Sequence, residues 1–174
     1  MLRVKMVEPN AQLAVARGLW RQSRTAEAEQ VLRELVELDP RNEDAGMLLA
    51  EVLRSQGHLS AASQVMLDVC KANDFEPSLC LRAARFVQQC DRHAIAAQIC
   101  QGTLARGAVP PELLVLAGHL ARESGDFEAA RVRYATALDA GIDLDRHHVL
   151  GALANTRRYV DADDADLARV AGHF

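Results

Sequence analysis

Aromatic residues make up only 4% of the 174 residues, and tryptophan occurs once, at Trp20. No segment alternates apolar and polar residues with β-branched enrichment, so no strand is expected. No apolar run approaches the ~20 residues that a membrane-crossing helix needs. The opening residues MLRVKMVEPN carry charge but lack the apolar core of a secretory leader, and a soluble, cytoplasmic protein is the expectation. A net charge of −4 falls short of the basic balance that general nucleic-acid binding calls for, so neither nucleic acid nor membrane is expected as a partner. The four cysteines, Cys70, Cys80, Cys90 and Cys100, contain no pair two to four residues apart, which excludes a zinc-finger spacing and leaves them as small apolar fillers.

Catalytic patterns are also missing. There is no glycine-rich phosphate loop, and no serine or cysteine is singled out as a nucleophile. Of the six histidines, His58 and His93 fall at equivalent turn positions, and His147 and His148 are neighbours that face different ways on a helix. Asp161, Asp163, Asp164 and Asp166 lack the glycine and terminal glutamate of a calcium loop and read as the capped start of a short helix. No enzyme activity, cofactor or metal is expected.

What the chain does have is helix formers: Ala, Leu, Arg and Glu dominate. The stretch 112–138 reads ELLVLAGHLARESGDFEAARVRYATAL, two helices joined by a Ser124-Gly125-Asp126 turn. Leu113, Leu116, Ala117, Leu120 and Ala121 recur at the spacing of one helical face before the turn, and Phe127, Ala130, Tyr134, Ala137 and Leu138 do so after it. Gly118, Ala121, Ala130 and Ala137 keep the two helices close, and Phe127 and Tyr134 supply bulk between them. A frame of 34 residues carries this pattern back along the chain without an insertion, giving units at 9–42, 43–76, 77–110 and 111–144. Their inward residues include Val15, Ala16, Leu19, Ala28, Leu32 and Leu35 in the first unit, and Leu49, Ala50, Leu53, Ala62, Met66 and Val69 in the second. Ala83, Ala84, Val87, Ala96 and Cys100 serve the third.

The unit resembles a tetratricopeptide repeat. Leu114, Ala117, Gly118 and Ala121 carry the likeness on the first helix, and Gly125, Asp126, Phe127, Ala130, Tyr134 and Ala137 carry it on the turn and second helix. It departs from the family in lacking an aromatic at Leu114 and a proline after Leu138. The resemblance implies an all-α fold: a right-handed superhelical solenoid of antiparallel helix pairs, with four repeats in one domain spanning 1–174. A solvating helix over about 145–158, with His148, Val149, Ala152 and Leu153 turned inward, would cover the last pair, and a tail with a short helix would fill 159–174.

In this family the first helices line the concave groove, and that placement implies a row of partner-binding residues. The row reads Arg17, Trp20 and Arg21; Glu51, Arg54 and Ser55; Arg85, Gln88 and Gln89; His119, Arg122 and Glu123; and Arg157 in the cover helix. Six arginines against two glutamates make it basic on an acidic chain, since many acidic residues fall on the second helices. Guanidinium pairs with carboxylate through two parallel hydrogen bonds, so the expected partner is an extended protein segment of acidic character, with Trp20 either an anchor for it or packing against the neighbouring helix. Chaperone-binding members use a lysine and an asparagine where this chain has Leu13 and Arg17, so that clamp is not expected. Two alternatives accompany this reading. One is self-association through the ends of the stack. The other is the non-catalytic N-terminal part of a larger enzyme, because TRRYVDADDADLARVAGHF resembles the connector of bacterial proteins that join such repeats to a sulfotransferase domain.

Overall fold

In the computed structural model of the chain, the described residues are 9–107, 109–141 and 146–156. They contain nine α-helices and no strand. The first helices of the pairs are α1 (Pro9–Arg21), α3 (Glu43–Ser55), α5 (Pro77–Gln89) and α7 (Pro111–Glu123). The second helices are α2 (Thr25–Leu38), α4 (Leu59–Ala72), α6 (His93–Leu104) and α8 (Phe127–Asp139), and α9 spans Arg146–Thr156. Within each set of four, successive helices start 34 residues apart.

One local device ends every first helix. Ser23, Gly57, Asp91 and Gly125 all have positive φ, between 56° and 83°. The N–H of each bonds back to the carbonyl of Trp20, Arg54, Gln88 or Arg122, and the next N–H reaches Leu19, Leu53, Val87 or Ala121. This is a Schellman stop, and it turns the chain straight into the second helix. Glycine takes this conformation without cost, and a short polar side chain such as Asp91 tolerates it. Helix starts are also marked: Pro77 and Pro111 occupy the first turn, Asn42 Oδ1 accepts from the Ala45 N–H at 2.9 Å, and Asp126 Oδ1 accepts from the Ala129 N–H at 3.0 Å.

The chain forms two compact units, Met1–Ile99 and Cys100–Phe174, and the division falls inside α6. The sequence reads as one domain because the period runs through this point without a break. In the first unit α1 packs on α2, α2 on α3, α3 on α4 and α4 on α5, with α1 also touching α3. In the second, α7 packs on α8 and α8 on α9.

The cores follow the repeat frame. Ala28, Ala62, Ala96 and Ala130, one per unit of the frame, are each fully buried, as are Ala16, Ala50 and Ala84. Gly118 takes the equivalent place in the fourth unit, and a Cβ there would stand 2.5 Å from Tyr134 Cε1. The facing position holds Leu32, Met66, Cys100 and then Tyr134, so the largest residue meets the one glycine. Gly46 makes a similar close approach to Val69 across α3 and α4. All four cysteines are buried.

Three sequence expectations change. Val15 is 54% exposed, although its counterparts Leu49, Ala83 and Ala117 are buried, because no helix precedes α1 among the described residues. Phe127 opens α8 at the surface, and the bulk at the helix crossing comes from Tyr134 instead. On α9, Val149, Ala152 and Leu153 are buried as expected and join Ala121, Ala130 and Tyr134 in one core, but His148 is exposed.

Candidate protein-binding surface

The expected binding row occupies the last two turns of the first helices, immediately before the Schellman stops that fix where each helix ends. In the first unit Arg17, Arg21, Arg54, Arg85 and Gln89 are exposed, and Trp20, Glu51 and Gln88 are half-buried. Their ionic states differ. Arg54 donates to Glu51 Oε2 from Nε at 3.0 Å and from Nη2 at 2.7 Å. That hydrogen bond and the Glu51 charge raise the pKa of the guanidinium. Arg54 also lies 5.8 Å above the Phe86 ring, a cation–π contact linking α3 to α5. Arg17 reaches Asp44 of α3 at 3.4 Å. Arg21 and Arg85 make no ion pair among the described residues. The acid that sequence reasoning missed is Asp44, which begins the next first helix and shares this face through Arg17; a 27-residue separation gave no local signal for it.

Other ion pairs hold the first unit in register. Arg82 meets Glu43 at 2.7 Å across α5 and α3, and Arg41 meets Asp74 at 3.0 Å between the loops that follow α2 and α4. All are substantially exposed, so each contributes at most about 1 kcal/mol. Some acidic residues of the second helices pair within their own helices, as in Arg33–Glu29 at 2.8 Å and Arg131–Glu128 at 2.7 Å.

In the second unit the row continues with His119 and Arg122 of α7, both half-buried. His119 does not simply face solvent. Its Nδ1 lies 2.9 Å from the Tyr134 hydroxyl, and the two rings meet edge to face with centroids 5.4 Å apart. Burial raises the pKa of the Tyr134 phenol, with the Arg122 charge acting in the opposite sense. A hollow opens beside this pair, lined by His119 and Arg122 from α7 and by His148, Gly151, Ala152 and Asn155 from α9. His148, Ala152 and Asn155 form one stripe of α9, a periodicity visible in the sequence once His148 is placed outward. Arg157 lies outside the described residues, as do Asp161, Asp163, Asp164, Asp166 and His173.

Among the described residues no group of three or more His, Cys, Asp or Glu is placed to hold a metal ion, and no helix is long and apolar enough to cross a membrane.

Residues 19–79 match the family described as tetratricopeptide repeat. Over that stretch the chain carries tetratricopeptide repeats. Solved structures of the same fold include MamA from Desulfovibrio magneticus RS-1, at 16% identity and a TM-score of 0.61 over 97% of this chain and 93% of that one. A thermophilic tetratricopeptide-repeat protein of Thermus thermophilus aligns at 24% identity and a TM-score of 0.52, covering 86% of this chain and 84% of that one. PilF of Pseudomonas aeruginosa aligns at 16% identity and 0.56, covering 94% and 73%. At these identities the likeness concerns fold alone. No curated protein matches the sequence. Tetratricopeptide-repeat proteins generally act as scaffolds that bind other proteins, and the repeats here support an interaction role of that kind.

Proposed function

We propose that this chain binds an extended protein segment of acidic character along its first-helix residues. The reading rests chiefly on Arg21 and Arg85, exposed on α1 and α5 with no intramolecular carboxylate partner among the described residues. Trp20 stands beside Arg21 with its ring half-buried, so part of its surface remains to meet a ligand. The charge of Arg54 is already shared with Glu51, and that of Arg17 with Asp44, so these two arginines position their neighbours more than they attract a partner. A helix-built face presents its side chains preformed, which leaves the ordering cost of association with the ligand.

The test is binding of a fluorescein-labelled, end-capped (Asp-Ser)5 peptide, followed by anisotropy. Arg21→Glu with Arg85→Glu should abolish binding while far-ultraviolet circular dichroism stays unchanged. Raising salt should weaken the wild-type complex, because exposed charges are screened over about 8–10 Å near physiological ionic strength. Binding indifferent to both changes would remove the reading.

A further inference from the structure

The ion pairs of the chain differ in how the guanidinium meets the carboxylate. Arg24 donates from Nε to Glu27 Oε1 and from Nη2 to Oε2, and Arg131 donates from Nε to Glu128 Oε2 and from Nη2 to Oε1. Each is a closed fork, with two donors on two oxygens. Arg54 is held differently. Its Nε and Nη2 both donate to one oxygen, Glu51 Oε2, at 3.0 and 2.7 Å. Glu51 Oε1 accepts no hydrogen bond among the described residues. Arg33 also meets Glu29 at one oxygen, but there Gln56 supplies a further hydrogen bond to the carboxylate.

Sequence spacing does not account for the open geometry. Glu128 and Arg131 stand three apart, as Glu51 and Arg54 do, and they close the fork. What Arg54 has in addition is the Phe86 ring of α5, 5.8 Å below its guanidinium. Phe86 is only 6% exposed, so the ring is fixed, and it draws the cation across from α3. Glu51 follows with a single oxygen. Both side chains of the pair stay in contact with water, so the carboxylate can leave while the ring keeps the guanidinium in place.

We infer that Glu51 is an internal occupant of the Arg54 site, which a carboxylate of the acidic partner segment displaces. The inference rests on the proposed acidic-segment reading and adds to it a binding residue and a selectivity residue, both in the same compact unit as Arg21 and Arg85. In the free chain Glu51 neutralises Arg54, so attraction of the segment falls to Arg21 and Arg85. Once the segment has docked, one of its carboxylates takes Nε and Nη2 with two oxygens, and Glu51 returns to water. The ligand gains only the difference between its own pairing and that of Glu51. Glu51 therefore weakens every acidic ligand and penalises most those that cannot close the fork, which is selectivity by competition.

The experiment uses the full chain and the capped (Asp-Ser)5 peptide, followed by anisotropy. Glu51→Gln should bind up to about fivefold tighter than wild type, the most that releasing an exposed ion pair returns. Arg54→Gln should weaken wild-type binding about two- to threefold, and in that background Glu51→Gln should gain less than about 1.5-fold. Glu34→Gln, on α2, removes the same charge while leaving the Arg54 pair intact, and should change affinity by less than about 1.5-fold. The Arg54 Nε–H resonance, identified by its loss in Arg54→Gln, should shift when wild type is titrated with the peptide. A pair kept only for structure would leave that resonance in place at saturation, and the inference would be overturned. An equal gain from Glu51→Gln with and without Arg54 would reduce the effect to general charge and overturn it as well. If Glu51→Gln binds like wild type while Arg21→Glu with Arg85→Glu does not bind, the competitor role fails and the acidic-segment reading stands. No binding of the peptide by wild type or by Glu51→Gln overturns both.

Discussion

Replacing Gly118 with alanine tests the packing logic of the fourth repeat. An alanine Cβ would stand 2.5 Å from Tyr134 Cε1, 2.8 Å from Cδ1 and 3.0 Å from Cζ. Carbon atoms pack favourably at about 3.5–4.0 Å, so the ring must retreat by roughly an ångström. It has little room to do so. Tyr134 is fully buried, and its hydroxyl is held at His119. Overpacking costs about 1–3 kcal/mol, and straining or losing the hydroxyl contact adds about 0.5–1.5 kcal/mol. Alanine returns about 1 kcal/mol of helix propensity relative to glycine. The net expectation is a loss of about 1–3 kcal/mol, measured by urea unfolding with circular dichroism. The first two repeats indicate the rescue, because Ala16 and Ala50 stand at the place of Gly118 where Leu32 and Met66 stand at the place of Tyr134. Gly118→Ala combined with Tyr134→Leu should therefore be less destabilised than the sum of the two single changes, with a coupling above about 0.5 kcal/mol. Stabilisation of the single mutant by about 1 kcal/mol, the value of propensity alone, would refute the close-approach argument. So would strict additivity in the cycle.

Two further expectations follow from the helix ends and from the charged surface. Asp126→Ala removes the side-chain acceptor for the Ala129 N–H at the start of α8 and should cost about 1 kcal/mol in the same assay, whereas Asp126→Asn, which keeps an acceptor, should cost far less. Desolvation tends to raise the Glu29 pKa, but hydrogen bonds from Arg33 and Gln56 outweigh it and hold the carboxyl below its ordinary value. A depressed folded-state pKa means that this contribution is present above the unfolded value, and it disappears as pH falls through the folded one. Glu29→Gln should therefore flatten part of the stability loss on the acid side of the ordinary carboxylate range, while an acid limb identical to wild type would exclude the contribution.

Much of the fold could be read from the sequence because its determinants are local or recur at a fixed period. The small residues Ala28, Ala62, Ala96 and Ala130 mark one crossing per repeat, and Gly57 and Gly125 mark turns whose backbone needs a positive φ. The structure adds Ser23 and Asp91 at the equivalent turns, though neither is glycine. A helix ends where its last carbonyls find the returning N–H groups, and a few adjacent residues decide that. Propensity, spacing and turn chemistry agree along these stretches, which is the condition under which a chain specifies its helices without help from distant contacts.

Side-chain states at the surface were less legible, because they depend on partners far away in the chain. Six arginines in the expected row look equivalent by position, yet Arg54 is neutralised by Glu51, Arg17 reaches Asp44 and Arg85 stays unpaired among the described residues. Val15 sits on the same periodic face as Leu49 but is exposed, since burial requires a neighbouring helix and periodicity supplies only the face. By position His119 is an exposed groove residue, and its true environment comes from Tyr134, fifteen residues away across the helix pair. Sequence alone therefore determined the repeat, its helices and its turns, through local backbone preferences and apolar spacing. Tertiary structure decided which charges remain available, which apolar faces are covered, and that His119, Arg122 and His148 share one recess, because each of these depends on which atoms folding brings together.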